Sequence, residues 1–138
     1  MRGPVGDGEN VAKSYLPEIP SVVEFTNRVA IVTGASRGLG LAAAKRFHEL
    51  GASVVVNVRD KARAEQTAKA VGERTLAVSG DVTETGIPEQ IVKQTVDRFG
   101  RVDILVNNAA LAKSTRFEQL TAEEWRAALE TNMTAPFL

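Results

Sequence analysis

Residues 28 to 47, RVAIVTGASRGLGLAAAKRF, settle how the chain folds. An apolar run, Val29 to Val32, leads directly into a turn that carries Gly34, Gly38 and Gly40, and the turn opens into LAAAKRF, a helix-favouring stretch. A strand that passes through a glycine turn into a helix points free backbone N–H groups and the positive helix end at one spot, which suits a diphosphate. In that arrangement Gly34 permits the tight turn, Gly38 clears the place where a phosphate must approach, and Gly40 lets helix and strand pack closely. The same glycines would also serve a plain tight connection, so the decision rests on the rest of the chain.

Beyond the turn, short apolar runs alternate regularly with longer amphipathic ones. The strands are predicted at 28 to 33, 53 to 58, 74 to 79 and 102 to 107, rich in Val, Ile and Leu with little alternation, as strands covered on both faces are. Helices are predicted at about 38 to 50, 60 to 71 and 88 to 99, with a fourth starting after Thr121. The punctuation agrees: Asp60 as N-cap, Pro88 as first helical residue, Gly51, Gly72 and Gly100 just past helix ends, and Thr121 with Glu124 as a capping box. This is α/β grammar, a Rossmann-type doubly wound parallel sheet of order 3-2-1-4. Residues 1 to 26, with three glycines and three prolines, read as a flexible or surface-draped leader, and residues 27 to 138 as the N-terminal part of a dinucleotide-binding domain.

Bulk composition removes several other classes. Hydrophobic residues at 43% and charged residues at 25% are ordinary for one globular domain. Seventeen basic residues balance seventeen acidic ones, so no global field draws nucleic acid or an anionic membrane. The absence of cysteine removes disulfides, thiolate zinc sites and thiol catalysis. The single histidine, His48, reads as a surface residue on the wet face of its helix, so no metal is expected. No stretch approaches a membrane span and residues 1 to 10 lack the apolar core of a signal peptide, which makes the cytoplasm the expected location.

The spacing of the loop, TGASRGLG from Thr33 to Gly40, resembles the TGxxxGxG signature of the short-chain dehydrogenase/reductase family, and other matches come after it in order. Asp81, followed by Val82, corresponds to the family's aspartate that accepts a hydrogen bond from the adenine amino group. Asn107, Asn108 and Ala109 resemble the family's NNAG element beside the adenosine, with Ala110 where that motif has glycine. Asn132 matches the asparagine of the family's Asn-Ser-Tyr-Lys catalytic set. The resemblance covers residues 28 to 138 and implies cofactor contacts from Thr33, Gly34, Ser36, Arg37, Gly38, Leu39, Gly40, Arg59, Asp81, Val82, Asn108, Ala109 and Ala110. A methyl group at position 110 tolerates a right-handed backbone but not a left-handed one.

In sheets of this kind an acidic residue at the end of strand two selects NAD(H), while a basic one nearby accommodates the extra phosphate of NADP(H). Here that position is Val58, followed by Arg59, and Arg37 is a second basic residue within the glycine loop. NADP(H) is the expected cofactor and NAD(H) the alternative, with Asp60 placed to neutralise Arg59 in part. Pro136, four residues after Asn132, has no N–H, which leaves the Asn132 carbonyl without its helical donor. The resemblance gives that carbonyl a water-holding role.

The resemblance also implies a tyrosine acid/base, a lysine four residues on and a serine, acting on a small-molecule carbonyl or alcohol substrate, in a protein that forms homo-oligomers. The only tyrosine here is Tyr15, and the fourth residue after it is Ile19. The chain is therefore expected to be the cofactor-binding part of an oxidoreductase, truncated after strand four and the start of the next helix, inactive by itself. Its last helix is expected to expose Trp125, Leu129, Met133 and Phe137 beside an unpaired strand four, and so to self-associate. Two alternatives stay open: a non-catalytic nucleotide-binding or assembly module, and a glycine-loop methyltransferase, against which Val58 and Arg59 argue.

Overall fold

The computed structural model describes residues 24–138. Its elements run β1 (Val29–Thr33), α1 (Gly38–Glu49), β2 (Ser53–Val58), α2 (Lys61–Val71), β3 (Thr75–Ser79), α3 (Ile87–Phe99), β4 (Ile104–Val106) and α4 (Ala122–Leu129). A π-helical turn, Glu130–Thr134, and a short α5, Ala135–Phe137, complete the chain. All strand pairs are parallel, in the order β3-β2-β1-β4. The predicted doubly wound architecture is thus present, because each strand is apolar on both faces and each crossover is a helix with one buried stripe.

The two faces of the sheet carry separate cores. Val32, Val54 and Val56 pack with Ala44 of α1 and Val71 of α2. Ile31, Val55 and Val78 pack on the opposite face with Ile91 of α3. Alternation along β1 and β2 sends successive valines to opposite sides, and each fully buried one contributes roughly 1.5–3 kcal/mol relative to exposure. Thr95, buried in α3, meets its polar requirement by donating to the Ile91 carbonyl at 2.6 Å.

Local chemistry sets the element ends largely as predicted. Asp60 caps α2 by accepting from Arg63 N–H at 2.8 Å, and Thr121 with Glu124 forms the capping box of α4. Gly100, at φ 79°, ends α3 in a left-handed conformation. Pro88 is the second residue of α3 rather than the first, since Ile87 opens that helix.

Four expectations need correction. Strand four is three residues long, not six, because side chains replace its ladder at both ends. The Asp103 carboxylate accepts from Val29 N–H at 2.9 Å before the strand, and the Thr33 hydroxyl accepts from Asn108 N–H at 3.1 Å after it. The packed body reaches back beyond residue 27: Phe25 N–H donates to Leu50 carbonyl at 2.8 Å, and the Phe25 ring meets Phe47 edge-on at 5.1 Å. The rest of the expected leader, residues 1 to 23, lies outside the described residues. His48 is half-buried rather than on a wet face, because its ring lies over Gly72, whose missing side chain makes the room, and its Nε2 has no partner among the described residues. Finally, the last helix is not continuous: at Ala135 the backbone N–H reaches five residues back, to Glu130.

The expected apolar face does lie open. Met133 is 68% exposed and Phe137 87%, with Trp125 and Leu129 also exposed. On β4, Leu105 is 56% exposed, and among the described residues β4 pairs only with β1.

Candidate functional site

The glycine turn is shaped by close approach as much as by backbone freedom. Gly34 has φ 62°, and a Cβ there would lie 2.8 Å from the Ala109 Cα. A Cβ on Gly40 would collide with the Asn108 side-chain amide and stand 2.8 Å from the Gly34 carbonyl oxygen, so α1 leaves the sheet as tightly as predicted. Gly38 differs: its φ is 56°, yet a Cβ would meet nothing within 4 Å. The space above it is open, at the first turn of a helix that has no acidic residue there and no side-chain cap. Unsatisfied N–H groups and the helix dipole therefore face that space.

Thr33 and Asn108 tie the turn to the end of β4. The Thr33 hydroxyl accepts from Asn108 N–H at 3.1 Å and Ala109 N–H at 3.0 Å, and donates to the Val106 carbonyl at 3.3 Å. The Asn108 amide donates to the carbonyls of Thr33 at 2.9 Å and Gly34 at 3.1 Å. Asn57 does the corresponding work at the other wall. It is 2% exposed and donates to the carbonyls of Val78 at 3.2 Å and Gly80 at 3.1 Å, which fixes the chain just before Asp81. This pinning role was not foreseen for Asn57; its signal was one amide in the buried run SVVVNV.

Asp81 then folds into an Asx turn: its Oδ1 accepts from Thr83 N–H at 3.0 Å and from the Thr83 hydroxyl at 2.8 Å. The Thr83 backbone N–H, followed by the Thr83 hydroxyl and the nearby Arg59, holds the carboxyl below its ordinary range against the opposing effect of burial. Oδ2 is left facing Arg59 at 4.0 Å, so the neutralising partner of Arg59 is Asp81, while Asp60 is engaged as the α2 cap.

All the residues expected to contact a cofactor, apart from Thr33 and Gly40, line one groove of about 1090 Å³. Thr33 and Gly40 are buried and do not line it. Val58 is on the groove, 6% exposed, with Arg37, Arg59 and the unforeseen Arg63 also lining it. Ala110 meets no conflict, because among the described residues Asn27 alone of the non-glycines has a positive φ.

Asn132 lies apart from the groove, although Glu130 and Thr131 line it. Its side chain clamps the loop after β4, accepting from Leu111 N–H at 2.9 Å and donating to the Leu111 carbonyl at 3.0 Å. The π turn and Pro136 leave the Asn132 carbonyl without the i+4 donor of a regular helix, as predicted.

The family model described as short chain dehydrogenase matches residues 28–138. The chain belongs to that family. Two curated relatives carry the names of a reductase and a dehydrogenase. The chain is 38% identical over 118 residues to a 3-oxoacyl-acyl-carrier-protein reductase of Synechocystis, covering 83% of this chain and 48% of the relative. It is also 38% identical over 114 residues to galactitol 2-dehydrogenase of Agrobacterium fabrum, covering 83% and 44% respectively. Among solved structures, a mutant short-chain dehydrogenase/reductase of Serratia marcescens superposes with a TM-score of 0.76 at 35% identity, covering 83% of this chain and 49% of that one. This short-chain dehydrogenase thus spans about half the length of the relatives it matches. No helix among the described residues is long and apolar enough to cross a membrane.

Proposed function

We propose that this short-chain dehydrogenase binds NADP(H) in the groove above the glycine turn and serves hydride transfer between the nicotinamide and a small-molecule carbonyl or alcohol. The observation that carries the reading is the convergence of open space over Gly38, the Asp81 carboxylate and a rim of arginines on one groove. The first-turn N–H groups of α1 suit the diphosphate. Asp81 Oδ2, with no hydrogen bond among the described residues, suits the adenine amino group. Arg37 and Arg59, with Val58 in place of a carboxylate, suit a 2′-phosphate rather than two free hydroxyls.

When bound, the cofactor supplies or accepts the hydride. The residues of this chain do the rest of the positioning: Thr33, Asn57 and Asn108 hold the walls, and Asn132 fixes the loop that starts at Leu111. The 138 residues contain no Tyr-x-x-x-Lys. These residues alone therefore bind cofactor without turnover. Homo-oligomers and a reducing, cytoplasmic setting go with this reading.

Fluorescence titration of the purified protein with NADPH and with NADH tests it. One productive arginine hydrogen-bonded to phosphate implies about 10- to 150-fold preference for NADPH. Gly38→Asp abolishes binding of both cofactors, and Arg59→Asp removes the preference. Equal affinities in the unmutated protein overturn the assignment of NADP(H).

A further inference from the structure

The rim at the end of β2 holds a cation that the proposed function leaves idle. Arg63 lies in the first turn of α2, its backbone N–H fixed on the Asp60 carboxylate at 2.8 Å and its side chain exposed on the groove that Arg37 and Arg59 also line. The three arginines are not equivalent. Arg59 faces Asp81 at 4.0 Å, whereas among the described residues no carboxylate lies within ion-pair distance of Arg37 or Arg63. The start of α2 already holds an anion, the Asp60 cap, which accepts from the Arg63 backbone N–H and leaves the Arg63 side chain unengaged. Lys61 and Arg63 are the charged residues of the turn that follows it. Of the two, Lys61 does not line the groove and Arg63 does.

We propose that Arg63 is a third, specificity-determining ligand of the cofactor's 2′-phosphate, approaching from α2 while Arg37 approaches from the glycine loop. The inference rests on the NADP(H) reading of the groove. A guanidinium suits the task because it presents paired N–H donors to phosphate oxygens, and Asp81 draws on the charge of Arg59 but not on that of Arg63.

The test compares unmutated protein with Arg63→Ala, Arg63→Lys and Lys61→Ala, using NADPH, NADH and 2′,5′-ADP as probes. Arg63→Ala weakens NADPH and 2′,5′-ADP by about 10-fold, the lower end for a charged hydrogen bond at an exposed site. It leaves NADH unchanged, Arg63→Lys recovers part of the loss, and Lys61→Ala alters none of the three. Without ligand, Arg63→Ala melts at the same temperature or higher, since it removes a cation opposed to the dipole. Equal weakening of NADPH and NADH, or no weakening of NADPH, overturns the inference. If the unmutated protein prefers NADPH and Arg63→Ala leaves that ratio alone, the inference fails while the cofactor assignment survives. If the unmutated protein binds neither dinucleotide, both fall.

Discussion

The two sides of β1 are held by different physics. Toward β2 the join is hydrocarbon: Val54, Val55 and Val56 are completely buried, and cores lie above and below them. Toward β4 the join is polar. Three ladder positions, Ala30 to Val32 against Ile104 to Val106, are pinned at one end by Asp103 and at the other by Thr33 and Asn108. Burial is non-directional and supplies most of the stability, whereas hydrogen bonds contribute little net energy but fix positions. The labour is therefore divided: the β2 side makes the fold and the β4 side sets the geometry of the groove.

Removing hydrocarbon on each side puts that division at greatest risk. Ile31→Ala costs about 2–5 kcal/mol, because the cavity lies in the core shared by β2 and α3. Leu105→Ala costs less than about 1 kcal/mol, since little of a 56% exposed side chain is desolvated. Denaturant unfolding of both variants measures the gap, and similar losses would show that β4 is a core strand after all.

On the polar side the expected cost is lower. Thr33→Val keeps the shape but removes the hydroxyl that serves Asn108 and Ala109, leaving partly buried N–H groups unpaired at a cost of about 1–3 kcal/mol. Amide hydrogen exchange at Asn108 and Ala109 accelerates by far more than exchange at Val54 to Val56. Uniform acceleration in both places would mean that the clamp also supports the hydrocarbon side.

A change of pH has the least effect of the three. Hydrogen bonds from Arg101, then from the Val29 N–H and Arg28, bring the Asp103 carboxyl down to about 2 from an ordinary 3.8. A lowered folded pKa contributes stability that is fully present above the ordinary value and is lost as the pH falls from there through about 2. Thermal melts between those limits therefore show the unmutated protein converging on Asp103→Asn as acid is added. The shift is modest because both arginines are largely solvated. A constant difference between the two proteins would assign the role of Asp103 to something other than its charge.

Much of this was legible in the residues, and the boundary is physical. The glycine turn could be read because the spacing of Gly34, Gly38 and Gly40 between a strand and a helix is itself a local pattern, although the Asn108 and Ala109 atoms that crowd Gly34 and Gly40 are distant in sequence; the caps at Asp60 and Thr121 are wholly local. Asp103 could not, since its partner Val29 lies 74 residues away and nothing adjacent marks it. Arg63 could not be read either, since only the folded chain puts it on the groove that Arg37 and Arg59 line. His48 was misjudged for a similar reason: its charged neighbours suggested water, but the empty face of Gly72 takes its ring. The π turn was hidden because Trp125, Leu129, Met133 and Phe137 keep a spacing of four straight through it.

That wide turn carries one residue more than an α-helix needs, and this sets the rotational phase of everything after it. Each helical residue advances the chain by about 100°. Ala135 packs against the core that holds Ile31 and Val55. Through an unbroken α-helix the same residues would carry it about 100° further round, off that core, and the wide turn at Glu130–Thr134 absorbs the difference. Losing a single residue from that segment therefore closes the ladder into plain α-helix and leaves Ala135, and the proline and phenylalanine after it, facing the way they do now. The bulge thus works as a phase register: an in-frame deletion of one codon there keeps the side of the helix that faces the protein, whereas the same deletion in the regular turns before it rotates everything that follows.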